Sequence, residues 1–249
     1  MQTPFGLSTR RGFLAFSGRT ISAIAGTTLV APIAWADKLE RLATAPFTEG
    51  PFYPDKLPLD TDNDLLILNE ATDHALGEIT HLTGQVLRKS GEPLRNAVVE
   101  IWQCDQNGIY LHSGSGDPDR RDRNFQGYGR FLTDSKGAYY FRTIKPVTYG
   151  SRTPHIHFAI SQNGQRVLTT QCFINGHPQN ARDGVFRSAG DEAQQKTVLV
   201  DFEPLPDSTL GELTASFNIV LGRTVAEGDD GQFPGIVPKS QRDSRGRRS

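Results

Sequence analysis

The sequence predicts an all-β fold: a single β-sandwich domain with long functional loops and little helix. Glycine and proline occupy 25 and 15 of the 249 positions, a frequency that breaks long helices but suits short strands joined by turns. Runs rich in β-branched and aromatic residues alternate with turn-forming sequences about every ten residues. The length fits one domain of this class, and no internal repeat divides the chain.

Eight runs have strand character because they combine aliphatic, β-branched and aromatic residues. The clearest turns between them lie at residues 89–93 and 134–137, which contain Gly with Pro, Ser or Asp. The predicted strands are residues 82–87, 97–103, 129–133, 138–144, 155–160, 167–174, 198–202 and 213–221.

The connections between these strands are the expected location of a functional site, since β-sandwiches place function in their loops. The longest irregular segments are residues 104–128 and 175–190, and a short helix is predicted over 191–196. Ahead of the first strand, residues 48–54 read Thr-Glu-Gly-Pro-Phe-Tyr-Pro, which is a turn-forming segment.

Residues 1–36 predict a cleaved twin-arginine export signal. Arg10 and Arg11 precede a mild apolar stretch, and Ala-Trp-Ala at 34–36 matches a cleavage site. The apolar stretch contains Gly26 and Pro32, so it is too short and too broken to form a stable membrane span. We expect a protein that is exported folded to the periplasm or the extracellular space.

The net charge of −1 is distributed unevenly. Residues 1–36 contain three arginines and no acid, whereas residues 239–249 contain five basic residues and one acid. The β-sandwich expected over 37–238 is therefore acidic, and we expect no nucleic-acid partner. Residues 239–249 are expected to be a disordered tail.

The two cysteines leave two interpretations open. Cys104 and Cys172 either form one disulfide in an oxidising compartment or remain separate buried thiols. They do not form a Cys-x-x-Cys pair, so any metal must be held by other side chains.

His155 and His157 form the sharpest local pattern. Residues i and i+2 of a strand point to the same face, so both imidazoles would project together and offer an edge for a metal. Buried structural histidines are the alternative interpretation. The other four histidines, at 74, 81, 112 and 177, lack this spacing.

Tyrosines are the candidate partners of these histidines. Tyr149 lies six residues before His155, and Tyr110 ends the turn that follows the strand with Trp102. A phenol ionises near neutral pH only beside a strong Lewis acid such as ferric iron. Two tyrosinates and a hydroxide would cancel the charge of Fe(III), and two neutral histidines would complete the shell. Packing in the core is the alternative role for each tyrosine.

Together these residues resemble the intradiol ring-cleavage dioxygenase family, and within it most closely the iron-bearing β subunit of protocatechuate 3,4-dioxygenases. The most specific part is the run Arg-Thr-Pro-His-Ile-His-Phe at 152–158, joined to a tyrosine turn. The resemblance covers almost the whole expected domain and is carried by residues 48–51, 102–110, 125–130, 141–146, 152–158, 170–171 and 217–221.

The resemblance implies one non-haem Fe(III) per chain, with the ligands Tyr110, Tyr149, His155 and His157. It places Arg152 and Gln171 in the second shell beside the substrate, where both would bind it and assist catalysis. Tyr149 would leave the metal when substrate binds.

The implied reaction uses O2 to cleave a catechol-type ring between its two hydroxyl-bearing carbons, giving a cis,cis-muconate-type product of aromatic compound catabolism. The implied partners are a small catechol and O2, and the resemblance favours a homo-oligomer such as a homodimer. Protocatechuate, catechol, hydroxyquinol and lignin-derived catechols all stay open as substrates.

Two functions from other classes also stay open at this point. A non-catalytic, secreted β-sandwich binding module would explain the strands and turns but not the two tyrosines and two histidines. A zinc hydrolase would use the histidines and ignore the tyrosines.

Overall fold

The computed structural model describes residues 40–68 and 73–222, and the predicted export signal and basic tail lie outside this part of the chain. These described residues contain two short α-helices, α1 (Gly184–Arg187) and α2 (Glu192–Lys196), with single 3-10 turns at Pro118–Arg120 and Asn180–Arg182. The strands in the described residues are β1 (Ile79–Arg88), β2 (Ala97–Trp102), β3 (Tyr128–Leu132), β4 (Ala138–Ile144), β5 (His155–Gln162), β6 (Gln165–Ile174), β7 (Leu199–Val200), β8 (Phe202–Pro204), β9 (Leu213–Ser216) and β10 (Ile219–Leu221).

The strands form two five-stranded sheets, which confirms the all-β prediction. In the first sheet β1 is central: β4 pairs with it antiparallel, β9 and β10 pair with it parallel, and β8 pairs with β9. The second sheet has the order β3-β2-β5-β6-β7, in which β7 alone joins its neighbour in parallel.

The apolar core contains side chains from both sheets. Leu82 and Phe141 of the first sheet and Ile101, Ile156 and Phe158 of the second are fully buried in one cluster. Because side chains alternate along a strand, the neighbours of Ile156 on β5 point away from this core. Residues 155–160 are nevertheless all buried, since loops and the segment 47–53 cover the outer face of this strand.

Two of the predicted strands are wrong, because each is divided into two shorter strands in the structure. Residues 198–202 divide at Asp201 into β7 and β8, which belong to different sheets. Residues 213–221 divide into β9 and β10, because Gln85 N donates to the side-chain oxygen of Asn218 at 3.0 Å instead of to a backbone carbonyl. The predicted helix is confirmed as α2, whose N-terminus is capped by Asp191.

Cys104 and Cys172 are both buried and both free. The disulfide interpretation is therefore wrong, and the two thiols occupy separate apolar clusters. Within the described residues, no helix has the length and apolar character needed to cross a membrane.

Candidate metal centre and active site

His155 and His157 lie side by side on the outer face of β5, as their spacing predicts. Their Nε2 atoms are 3.2 Å apart, and both rings are almost completely buried. Trp102, the partner of His157 on β2, stacks on the His157 ring with a centroid distance of 4.8 Å. The neighbouring strands therefore hold both imidazoles in one direction.

Both histidines are held in the neutral form. The Thr153 carbonyl oxygen lies 2.6 Å from His155 Nδ1 and accepts the Nδ1 proton, so Nε2 carries the lone pair that a metal needs. Burial lowers the pKa of His155 to about 3. Burial and the neighbouring His155 and Arg152 lower the pKa of His157 well below its ordinary value.

Tyr110 reaches this pair from the loop after β2. Asp105 shapes the loop, since its Oδ1 accepts hydrogen bonds from the backbone N of Asn107 and of Ile109, each at 2.9 Å. The phenol oxygen of Tyr110 lies 3.2 Å from His155 Nε2. Burial, with smaller contributions from Cys104 and Tyr149, raises the pKa of Tyr110 well above its ordinary value, so ionisation requires a strong positive charge nearby.

Tyr149 completes the cluster from the connection between β4 and β5. Its ring centroid lies 5.1 Å from that of Tyr110 and 5.6 Å from that of His155. Gly108 has φ +77°, and a Cβ added there would meet the Tyr149 Cβ at 3.3 Å. A glycine at this position therefore allows the two tyrosine loops to approach each other. Tyr149 is partly exposed, unlike Tyr110.

Arg152 and Gln171 lie together beside the histidines. Gln171 pairs with His157 across β5 and β6 and is buried, so its side chain shares the outer face. Arg152 Nη2 donates to Gln171 Oε1 at 2.8 Å, and Arg152 Nε donates to Asp183 Oδ2 at 2.8 Å. The structure thus brings all six predicted site residues into one cluster.

Asp183 is the residue of this cluster that the sequence analysis missed. It lies in the segment 175–190, one of the two long loops expected to hold a site, but the predicted site residues fall in the other loop, 104–128, and around the strands. Its position before a short helix is a signal for a helix cap, which gives no indication of the contact with Arg152, 31 positions away.

The donor set fits a hard, strongly acidic metal ion. The Oη atom of Tyr110 and the Nε2 atoms of both histidines converge, and His157 Nδ1 is buried without a hydrogen-bond partner. No group of three or more His, Cys, Asp or Glu side chains in the described part of the chain could hold a metal. Imidazoles joined by phenols match ferric iron better than zinc, which takes imidazole, thiolate and carboxylate ligands.

Comparisons with known proteins identify the family. The dioxygenase family profile matches residues 48–223, more than half of the chain. The protocatechuate 3,4-dioxygenase beta chain of Burkholderia cepacia is 36% identical over 146 residues, which cover 55% of this chain and 62% of the relative. Catechol 1,2-dioxygenase 2 of Acinetobacter lwoffii is 32% identical over 148 residues, covering 52% and 50% of the two chains. The chain belongs to the intradiol dioxygenase family.

This assignment confirms the resemblance seen in the sequence. The structure of this chain also matches a solved structure, the dioxygenase domain of a dioxygenase and carbohydrate-binding protein fusion from Streptomyces sp. SirexAA-E. That match has a TM-score of 0.56 and 26% identity and covers 73% of this chain and 99% of the other. The chain spans less than two thirds of the length of the two relatives above.

Proposed function

We propose that this intradiol dioxygenase family member uses one non-haem Fe(III) per chain and O2 to cleave a catechol-type ring between its hydroxyl-bearing carbons. The product would be a cis,cis-muconate-type acid. The observation that carries the proposal is the convergence of two phenols and two neutral imidazoles beside Arg152 and Gln171. The names of the relatives, which act on protocatechuate and catechol, support the substrate class.

Tyr110, Tyr149, His155 and His157 would hold the ferric ion. Once bound, the ion would act as a Lewis acid that draws electron density from a bound catecholate and makes a ring carbon reactive toward O2. Two tyrosinates provide negative charge to offset the ion, and the neutral histidines add none.

The two tyrosines have different roles in this proposal. Tyr110 is buried and fixed by its loop, since Ser115 Oγ accepts from its backbone N at 2.9 Å. Tyr149 is partly exposed, so its phenol can leave when substrate enters. The Tyr149 Oη atom would then take up one of the two catechol protons and the hydroxide would take up the other, so the buried charge would stay unchanged.

Arg152 and Gln171 would act directly on the substrate. The Arg152 guanidinium would stabilise the negative charge that develops on the ring or its oxygen atoms. Because Gln171 Oε1 already accepts from Arg152, the Gln171 amide group keeps its N–H donors for orienting the substrate.

The first test is the metal and colour of the purified protein. We expect one iron per chain and a burgundy band from tyrosinate-to-Fe(III) charge transfer, together with O2 uptake and ring-opening absorbance for members of a catechol panel. Tyr149→Phe should shift this band. Tyr140→Phe should leave the band unchanged, because the Tyr140 hydroxyl forms a hydrogen bond with His81 Nδ1 on the first sheet.

The other function classes predict different results in the same experiment. A colourless protein that binds catechols without O2 uptake would indicate a binding module. Zinc in place of iron would indicate a hydrolase, and an unchanged visible band in Tyr149→Phe would contradict the ligand assignment.

We also propose export of the folded protein through the twin-arginine pathway and association into a homo-oligomer. The Arg10-Arg11 pair and the Ala-Trp-Ala site support export. Fractionation of cells that express the wild type and an Arg10→Lys/Arg11→Lys variant tests export, because the variant should stay in the cytoplasm. Sedimentation of the purified protein tests the oligomeric state.

A further inference from the structure

Asp183 is a buried carboxylate in the connection after β6. Its side chain is fully buried and accepts four hydrogen bonds. Oδ2 accepts from Arg152 Nε and Thr153 N, each at 2.8 Å, and Oδ1 accepts from Val185 N at 2.8 Å and Phe186 N at 3.0 Å. All four partners are donors, so only a carboxylate, which accepts with both oxygens, can satisfy them all.

The contact with Asp183 limits how Arg152 can turn. One edge of the guanidinium is fixed by Asp183 Oδ2, and Nη2 is fixed by Gln171 Oε1. A planar guanidinium held at two separate nitrogens keeps one orientation. Burial raises the pKa of Asp183, but hydrogen bonds from Phe186 N and Arg152 outweigh this effect and hold it below its ordinary value, so the carboxylate is charged.

The same oxygen also orders the backbone that leads to the first histidine. Thr153 N donates to Asp183 Oδ2, and the Thr153 carbonyl oxygen lies 2.6 Å from His155 Nδ1. The Thr153 hydroxyl donates to Asn180 Oδ1 at 2.7 Å. The segment 175–190 therefore holds residues 152 and 153 through buried hydrogen bonds.

We propose that Asp183 is a positioning residue that directs the Arg152 guanidinium at the reacting ring. This inference rests on the proposed function, because the role of Arg152 is defined by it. Without the carboxylate, Arg152 would lose its charged partner in a largely buried setting and would turn to find other acceptors.

The direct test is Asp183→Asn, which keeps the size of the side chain. Whichever way the amide is turned, its NH2 group faces two donors, and in either orientation Arg152 loses its charged partner. We expect kcat for catechol to fall roughly 10- to 100-fold, as for a misplaced catalytic group, with KM within about threefold. Iron per chain should stay as in the wild type.

Asp191→Asn is the matched control. Asp191 is exposed and caps α2 through Gln194 N at 2.9 Å, so the same substitution removes the charge of a helix-capping carboxylate with no arginine involved. We expect wild-type kcat. If Asp183→Asn also keeps wild-type kcat, the proposal is overturned.

A double variant separates positioning from general stability. If Asp183 acts through Arg152, adding Asp183→Asn to Arg152→Gln should lower kcat by less than about threefold further. Losses that multiply would show that Asp183 acts independently of Arg152 and would overturn the proposal.

Crystal structures of the wild type and of Asp183→Asn give a readout that needs no turnover. We expect Arg152 Nη2 to leave Gln171 Oε1 in the variant, whereas an unchanged contact overturns the proposal. A wild type that cleaves no catechol would reject the proposed function, and the crystal structures would still decide the role of Asp183.

If Asp183→Asn does not fold, Asp183→Glu provides the same readouts with the charge retained. The extra methylene displaces the carboxylate, so we expect the Arg152 contact with Gln171 to change and kcat to fall about tenfold. An unchanged contact together with wild-type kcat would overturn the proposal.

Discussion

The carbonyl oxygen of Thr153 accepts from His155 Nδ1, and this contact leaves Nε2 of the same ring with a lone pair directed toward His157 and Tyr110. Burial keeps both imidazoles neutral. Burial also opposes ionisation of Tyr110, so this residue contributes charge only when a cation is present. At the scale of single residues, the chemistry of the candidate centre therefore depends on the ion that it would hold.

Replacing Tyr110 with phenylalanine should remove a proposed iron ligand while keeping the packing of the ring. Because changes to the partners of metal ligands already alter affinity 10- to 100-fold, we expect iron affinity to fall by at least about tenfold. The metal-free variant should lose only about 1 kcal/mol of unfolding free energy, the usual cost of one hydrogen bond. Iron titration and urea unfolding measure the two quantities, and full iron affinity in Tyr110→Phe would contradict the assignment of Tyr110.

Among the elements, the segment 47–53 covers the candidate centre on the outer face of the second sheet. Phe52 stacks on Tyr110 with a centroid distance of 5.3 Å, and Gly50 lies against the His157 ring. The segment is attached to β6 by Arg166, which pairs with Glu49 and with Glu100, the latter at 2.9 Å. One arginine thus joins the covering segment to two strands of the sheet.

Arg166→Met should therefore destabilise the domain and loosen the covering segment. Removing one partner of a largely buried ion pair costs roughly 3 kcal/mol, because Glu100 would stay buried with only the exposed Arg130, 4.0 Å away, as a cation. Urea unfolding measures this loss. Lys196→Met, which breaks the exposed ion pair with Glu192, should leave the urea midpoint of unfolding unchanged. Equal midpoints for Arg166→Met and the wild type would show that Arg166 does not hold the segment.

In the molecule as a whole, contacts that follow from local periodicity were predictable, and contacts between residues far apart in the chain were not. The two-residue period of a strand places His155 and His157 on one face without knowledge of the rest of the fold. The Asp183 contact with Arg152 and the Glu100 contact with Arg166 join residues 31 and 66 positions apart. The first depends on how a loop folds over the second sheet, and the second depends on which strands become neighbours within that sheet. No local pattern encodes either. The division of residues 198–202 between two sheets has the same origin.

The domain as a whole should lose stability in acid, because two buried carboxylates are charged in the folded state. Burial raises the pKa of Glu100, but the hydrogen bond from Tyr128 and the charge of Arg166 outweigh this effect and hold it below its ordinary value. The pKa of Asp183 is lowered as well. In the unfolded chain both carboxyls titrate near pH 4. Below about pH 5 the unfolded chain therefore binds more protons than the folded one, and the stabilisation is lost as pH falls through the lowered values.

Glu100→Gln tests this prediction, because an amide does not titrate. The variant should be less stable than the wild type at pH 7, since Arg166 loses a charged partner, and should lose less unfolding free energy between pH 7 and pH 3. Urea unfolding at several pH values gives the unfolding free energy of both proteins as a function of pH. Both proteins are measured with the same metal content. If the two curves fall in parallel, the charge of Glu100 does not contribute to acid sensitivity, and Asp183 and other acids must account for it.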